Sequence, residues 1–328
     1  MKIAVAGSVG RDHLMTFPGK FSDSLVAQSL QNISLSFLVD GLDIRRGGCA
    51  ANISFGMAAL GLQPILIASV GSDWVDYQAW LDRHGVDTSS VHISPTLHTA
   101  LYMVTTDTEL NQIASFFPGA MSEAREIELA PIMEKKGRFD LIVISPDDPE
   151  AMLRHTETAR SLAIPFAADP SQQMARMAGD EIKQLIDGAT YLFMNEYELA
   201  LAIQKTGWSD QEILDRVKTR IVTLGSAGVK VEVKGEESVL VHVPQEKIKV
   251  DPTGLGDAFR SGFLAGIAWN LSNERSAQLG SMIATYVIET KGTQEYRFTR
   301  QSFIERFSEA YGESAAAEIA HPLSSLAD

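Results

Sequence analysis

The sequence predicts an α/β protein: a doubly wound, mostly parallel sheet flanked by helices, with a small β lid beside it. Three observations lead there. Short runs rich in Val, Ile and Phe alternate with longer helical patterns, two strand-like stretches interrupt that rhythm, and one glycine turn opens a long apolar helix late in the chain.

The strand-like runs come in order as Lys2 to Gly7, Pro64 to Gly71, Phe139 to Ser145, Pro165 to Asp169, Tyr191 to Asn195 and Arg220 to Gly225. Each is short and apolar, the pattern of a strand covered on both faces. Between them the spacing predicts helices over Gly48 to Leu60, Trp74 to His84, Pro149 to Leu162, Glu181 to Ile186 and Glu196 to Thr206. Strand followed by helix, repeated, is what parallel pairing requires. The segment His13 to Arg46, and the pair Thr99 to Thr106 with Gln112 to Phe117, read instead as antiparallel strands or irregular loops. They predict a lid built from insertions at about 13–46 and 97–118. No repeat, low-complexity tract or Pro/Gly/Ser linker divides the chain, so a single domain over 1–328 is expected. The tail after Gly312 is Ala-rich and is expected to fray.

Composition narrows the function classes. The 328 residues carry 42 Asp and Glu against 28 Lys and Arg, a formal charge of −14, and the basic runs Arg45-Arg46 and Lys135-Lys136 are only pairs. Phosphate backbones are bound by clustered Lys and Arg, so no nucleic-acid partner is expected. A small anionic ligand remains allowed, because backbone amides and helix ends make a site locally positive. No run is long and apolar enough to span a bilayer, which predicts no membrane partner. The opening Met1-Lys2-Ile3-Ala4-Val5-Ala6-Gly7 is too short an apolar run for a secretory segment, so the cytoplasm is the expected compartment. The lone cysteine, Cys49, excludes an intrachain disulfide and reads as a small buried thiol.

The chemistry concentrates in Ile248-Lys249-Val250-Asp251-Pro252-Thr253-Gly254-Leu255-Gly256-Asp257, which reads as strand, glycine turn and then a helix through Asn270. The first amides of a helix lack intrahelical partners and sit at the positive end of its dipole. Gly254 and Gly256 let that backbone approach a ligand closely, which suits a phosphate. Asp257 falls in the first turn. One reading makes it a cap for the helix; the other makes it the base that takes a proton from a hydroxyl acceptor in phosphoryl transfer, with Gly254-Leu255-Gly256 as anion hole. No Gly-x-x-x-x-Gly-Lys-Ser/Thr pattern and no protein-kinase triplet occurs, so a different kinase class is required.

Asp251-Pro252-Thr253-Gly254-Leu255-Gly256-Asp257 resembles the C-terminal signature of the ribokinase-like (PfkB-type) sugar and nucleoside kinases. Arg46-Gly47-Gly48-Cys49-Ala50-Ala51-Asn52 resembles their N-terminal signature, and Asn195-Glu196-Tyr197-Glu198 their Asn-x-x-Glu motif. The three stand in the family's order, and the likeness covers essentially the whole chain. Within the superfamily the sequence is most similar to bacterial-type adenosine kinases. That likeness runs from Ser8 and Asp12 through Leu35-Ser36-Phe37, Gln112 to Ser122, Ala168-Asp169-Pro170-Ser171-Gln172-Gln173 and Gly292-Thr293-Gln294-Glu295.

The resemblance implies an ATP-dependent kinase that phosphorylates the 5′-hydroxyl of adenosine, with Mg2+ brought by ATP and Glu198 acting on it through water. It also implies a nucleotide site at Asn195, Thr223, Ser226 and Gly228, and in some relatives a monovalent cation such as K+ near Asp251. Substrate contacts follow by the same resemblance at Ser8 and Ser36. Asp12, after the first strand, can accept hydrogen bonds from vicinal ribose hydroxyls or be a solvated loop carboxylate. Gly48 and Asn52 lie one helical turn apart and suit a polyol edge, with Asn52 as a plain helix residue the competing view. Tyr102 and Phe116 can sandwich a purine or pack in a core. Gln172, Gln173 and Arg176 follow a strand at the sheet edge where open α/β folds bind ligands, though a solvated arginine is the commoner outcome there. The apolar lid strands would bury surface if paired across subunits, which predicts a homodimer.

Three other functions compete. A ribokinase- or fructokinase-like sugar kinase would share every catalytic residue. A non-catalytic nucleoside or sugar sensor is opposed by the intact motifs. A dinucleotide-binding oxidoreductase is opposed by Gly7-Ser8-Val9-Gly10, which lacks Gly-x-Gly-x-x-Gly before a helix.

Overall fold

A computed structural model describes residues 1–24, 36–109 and 111–326. Its strands in chain order are β1 (Ile3–Ala6), β2 (Gly10–Thr16), β3 (Gly41–Gly47), β4 (Ile65–Ile67), β5 (Ser69–Gly71), β6 (His92–Ser94), β7 (Ala100–Thr106), β8 (Gln112–Phe117), β9 (Leu141–Ile144), β10 (Phe166–Ala168), β11 (Tyr191–Asn195), β12 (Thr219–Thr223), β13 (Val229–Val233) and β14 (Val239–Val241). Eight of them form one sheet in the order β14-β13-β12-β11-β10-β9-β1-β4. The six from β12 to β4 pair in parallel, and β13 and β14 extend the sheet in antiparallel fashion.

Alternation along the central strands explains why these runs are apolar at every position. Ile3, Val5, Leu66, Leu141, Val143, Ala167 and Phe193 face one apolar core; Ala4, Ala6, Ile65, Ile142, Ile144, Phe166 and Leu192 face the other. The first core is closed by helices that include Cys49–Ala59, Leu255–Ala268 and Asn273–Ile288, the second by Pro149–Ser161, Gly179–Ile186 and Glu196–Thr206. A doubly wound sheet with helices on both faces is the result, as the alternating pattern predicts. No helix among the described residues is long and apolar enough to cross a membrane.

The lid is a separate four-stranded sheet, β3-β2-β7-β8. The pairs β2–β3 and β7–β8 are antiparallel, as expected, but β2 and β7 run parallel. The first lid strand begins at Gly10 rather than His13, and the stretch 25–35 of the predicted insertion lies outside the described residues, Leu35 among them.

Other expectations need correction. Pro64 to Gly71 is two strands, because after β4 the chain leaves the main sheet and β5 pairs with β6 instead. Ile248 to Val250 is no strand: both sheet edges lie elsewhere, and the N–H groups of Val250 and Asp251 instead donate to the carbonyl of Ile288 at the end of a helix. The helix after the glycine turn stops at Ala268, not Asn270, whose φ of 60° is left-handed. The tail does not fray after Gly312. Glu313–Ala320 is a helix whose Ala315, Ala316 and Ile319 are buried, so its small side chains pack closely. The antiparallel pair β13–β14 went unpredicted, although Val229-Lys230-Val231-Glu232-Val233 alternates with period two.

Candidate active site

One cavity of about 690 Å³ lies at the carboxyl ends of the parallel strands, under the lid. Ser8 follows β1, Pro146 follows β9, Ser171 to Gln173 follow β10, Asn195 ends β11 and Thr223 ends β12; all of them line it. An open parallel sheet binds ligands at this edge because the strand ends diverge there and helix N-termini converge.

The glycine turn forms the floor. Gly254 has φ +78°, and a Cβ there would stand 2.6 Å from Thr293 Cγ2, so only glycine makes this turn. The first intrahelical bond of Leu255–Ala268 runs from Ala258 N to Gly254 O at 2.9 Å, so the amides of Leu255, Gly256 and Asp257 precede it. Amides without an intrahelical partner at a helix start suit an anion. Gly254, Gly256 and Asp257 line the cavity, whereas the side chain of Leu255 packs against the core.

Asp257 is held by Asn52, whose Nδ2 donates to Asp257 Oδ2 at 2.9 Å. Burial raises the Asp257 carboxyl above its ordinary value, and the Asn52 hydrogen bond and the Arg260 guanidinium oppose that rise. A helix N-terminus by itself depresses a carboxyl, but at Asp257 burial dominates. Asn52 Oδ1 in turn is contacted by Thr293 Oγ1 at 2.9 Å and Gln294 Nε2 at 2.8 Å. The amide therefore spends most of its capacity inside the protein, with one Nδ2 hydrogen beyond these bonds. Gly48, ahead of that helix, has φ +95°, and a Cβ there would meet Ser8 O and Val9 Cα at 2.6 Å. Its bare backbone lines the cavity.

The lid supplies one row across its sheet. Asp12 of β2 is the register partner of Tyr102 of β7, and Tyr102 is the register partner of Phe116 of β8. All three line the cavity, so the sheet presents a carboxylate and two aromatic rings on the same face. Burial, together with the charges of Asp251 and Asp257, pushes Asp12 up to about 6. Phe116 is 50% exposed, which no core aromatic would be.

Asn195 and Glu198 form a reciprocal cap. Asn195 Oδ1 accepts from Glu198 N at 2.8 Å, and Glu198 Oε2 accepts from Asn195 N at 2.8 Å. The Asn-x-x-Glu spacing thus starts a helix and also places both residues on the cavity lining, so the capping role leaves the functional one open. Glu198 Oε1 also accepts from Ser171 Oγ at 3.3 Å.

Gln172, Gln173 and Arg176 line the cavity, with Gln173 Nε2 tied to Asp147 O at 2.7 Å. Ser226 and Gly228 do not; they sit in the turn joining β12 to β13, where Gly228 packs close to Val241. Ser36 is exposed and also lies off the lining. Asp251 accepts from Thr253 N at 2.9 Å and Gly292 N at 3.2 Å. Burial raises its carboxyl, and these bonds outweigh that and leave it below its ordinary range.

Four residues escaped the sequence reading. Arg260 lines the cavity one helical turn beyond Asp257, and a Cβ on Gly256 would stand 2.6 Å from its Nη1. An arginine inside the apolar run Ala258-Phe259-Arg260-Ser261-Gly262-Phe263 was the available signal. Its partner Asp169, at 2.5 Å, and the pair Thr293 and Gln294 gave none beyond the resemblance itself. Cys49 is on the lining, and burial raises its thiol, consistent with an inert group.

A divalent ion is compatible with these donors in one way. Among the described residues no group of three or more His, Cys, Asp and Glu could hold a metal ion. The cavity-facing carboxylate of Glu198 suits an ion that arrives with phosphates and keeps its waters.

Comparison with known proteins agrees with this geometry. The pfkB family carbohydrate kinase description matches residues 25–299. The nucleoside kinase of Burkholderia thailandensis, solved in complex with inosine, is 32% identical, with a TM-score of 0.83 over 94% of this chain and 99% of that one. The same kinase in complex with ADP-inosine gives 0.78. The nucleoside kinase of Methanocaldococcus jannaschii is 28% identical over 79% of this chain and 84% of its own. A ribokinase of Haemophilus influenzae is 23% identical over 92% of this chain and 97% of its own.

Proposed function

The chain belongs to the pfkB family of carbohydrate kinases, and from that membership we propose that it moves the γ-phosphoryl of ATP to the 5′-hydroxyl of a purine nucleoside, with adenosine as acceptor. Phosphotransfer to a nucleoside or sugar is the activity for which its relatives are named. The observation that carries the finer reading is the row Asp12, Tyr102 and Phe116 facing the same cavity as the Gly254–Asp257 turn. A carboxylate for ribose hydroxyls and two rings for a base stand opposite an anion hole.

In this reading Asp12 and the free Nδ2 hydrogen of Asn52 hold the ribose, while Tyr102 and Phe116 stack on the base. Ser8, Gly48, Gln172, Gln173 and Arg176 complete the acceptor pocket. The amides of Leu255, Gly256 and Asp257 receive the transferring phosphoryl, where the developing charge is stabilised by fixed dipoles. Asp257 takes the hydroxyl proton; raised by burial, its carboxylate is a better base than a solvent-facing Asp. Asn195 and Thr223 meet the nucleotide, with Ser226 and Gly228 reaching it only from the edge. Mg2+ held through water by Glu198 supplies charge neutralisation on the phosphates when bound. The neighbour solved with inosine favours inosine as a second acceptor, and the ribokinase relative keeps a sugar in play. We also infer a homodimer through the lid, because β8 is an open edge carrying exposed Ile113, Phe116 and Phe117.

The test is a coupled ADP-release assay with Mg-ATP across adenosine, inosine, other nucleosides, ribose and fructose. Saturable turnover on adenosine supports the reading. Turnover only on sugars discards the purine pocket, and silence on every acceptor favours the sensor.

A further inference from the structure

We propose that Gln294 is a positioning residue for the base: it fixes which way the Asn52 amide faces, and so whether Asp257 receives a hydrogen bond, with Trp80 setting the sense of the whole chain. The proposal rests on the reading of Asp257 as base.

The argument is a matter of donors and acceptors. Trp80 Nε1 lies 3.1 Å from the Gln294 amide, and an indole N–H can only donate, so the Gln294 atom it meets is the oxygen. The Gln294 nitrogen must then face the other way, where Tyr77 OH stands at 2.6 Å and the Asn52 amide at 2.8 Å. Tyr77 accepts there because its own hydrogen goes to Gly47 O at 2.9 Å, and burial raises its hydroxyl so that it stays protonated. The Asn52 atom facing Gln294 must be its oxygen. Asn52 is left with only its nitrogen for Asp257 Oδ2, at 2.9 Å. Reversing any amide in this chain sets two donors or two acceptors against each other.

Gln294 is completely buried, so no water can substitute for its partners. It does not line the cavity, so it acts on the base only through Asn52. The other groups facing Asp257 are the Arg260 guanidinium on its own helix, the Cys49 thiol beside Asn52, Asp12 from the lid and Asp169 after β10. None is hydrogen-bonded to Gln294, so substituting it leaves their charges in place.

Two variants test this. Gln294→Met removes both polar ends at similar volume, and Trp80→Phe removes the donor that sets the sense while keeping a ring against Phe55. In each, 13C titration of the Asp257 carboxyl, assigned by its loss in Asp257→Asn, is expected to move to higher pH because the donated hydrogen bond is no longer enforced. In turnover, kcat is expected to fall about tenfold in Gln294→Met and about threefold in Trp80→Phe near neutral pH, with KM for ATP unchanged. The acid limb of the kcat profile should move up in parallel. An unchanged Asp257 titration in the folded variants overturns the proposal, even if the melting temperature drops, since that is what a purely structural role would give. If Gln294→Met fails to fold, an unchanged Trp80→Phe titration overturns it alone. Absence of any kinase turnover in the unmodified protein would instead remove the proposed function, while the titration still decides whether Gln294 governs Asp257.

Discussion

Arg260 Nη2 lies 2.5 Å from Asp169 Oδ1, and the two residues are 6% and 1% exposed. Among the described residues Arg260 Nε and Asp169 Oδ2 have no hydrogen-bond partner. Burial raises Asp169, and the guanidinium beside it pulls it back toward ionisation. A pair with such incomplete partners stabilises little by itself, but breaking it strands a buried charge. Arg260→Met is expected to cost about 3–5 kcal/mol in urea unfolding, and adding Asp169→Leu should recover most of it. A near-neutral single variant would mean that Asp169 is already neutral.

Asp257→Asn keeps the shape of the first helical turn and removes the proton acceptor. Turnover should drop by about two to four orders of magnitude, with nucleoside binding by calorimetry held within about twofold. Surviving turnover would return Asp257 to the role of a helix cap.

Phe116→Ala takes away one face of the base sandwich on a half-exposed strand. The expected loss is about 1–3 kcal/mol of adenosine affinity, with ribose affinity unaltered. Equal losses for both ligands would point to a disturbed lid rather than to stacking.

Asp12 holds its proton up to about 6, against an ordinary 3.8. Between those values the folded chain binds more protons than the unfolded one, so this group's contribution to stability falls as pH rises through the window. Acceptor binding runs the other way, because two hydroxyls need the ionised carboxylate. Affinity for adenosine should therefore climb between about pH 5 and about pH 7, and Asp12→Asn should flatten that slope in calorimetry.

Light scattering should give twice the chain mass, and Ile113→Lys on the β8 edge should return it to the single-chain value. A monomer in the unmodified protein would leave each lid to close its own cavity.

The parallel core was legible because burial on both faces removes the ambiguity of period: Tyr191 to Asn195 and Glu196 to Thr206 match the observed elements residue for residue. The glycine turn was legible because Gly254 and Asp257 sit in one turn, close in sequence. What stayed hidden depends on distant partners. Ile248 to Val250 has a strand's composition but no strand to pair with. Arg260 gains its meaning from Asp169, and Asn52 from Gln294, across stretches of chain that no local pattern spans. Ser226, Gly228 and Ser36 were carried by likeness alone, and these lie off the cavity lining.

The parallel pairing of β2 with β7 also bears on how the chain assembles. Gly10 meets Ala100, and between them lie β3, β4 and the helices Cys49–Ala59 and Val75–Arg83. Such a pair cannot zip up from a neighbouring turn, because the loop between its strands must close first. During synthesis β2 has only β3 beside it until β7 has left the ribosome, while β1 and β4 can already be joined. The lid strands are therefore all made while the sheet they cover holds only β1 and β4 of its eight strands, and a chain halted before Thr106 would carry that quarter of the framework and no closed roof.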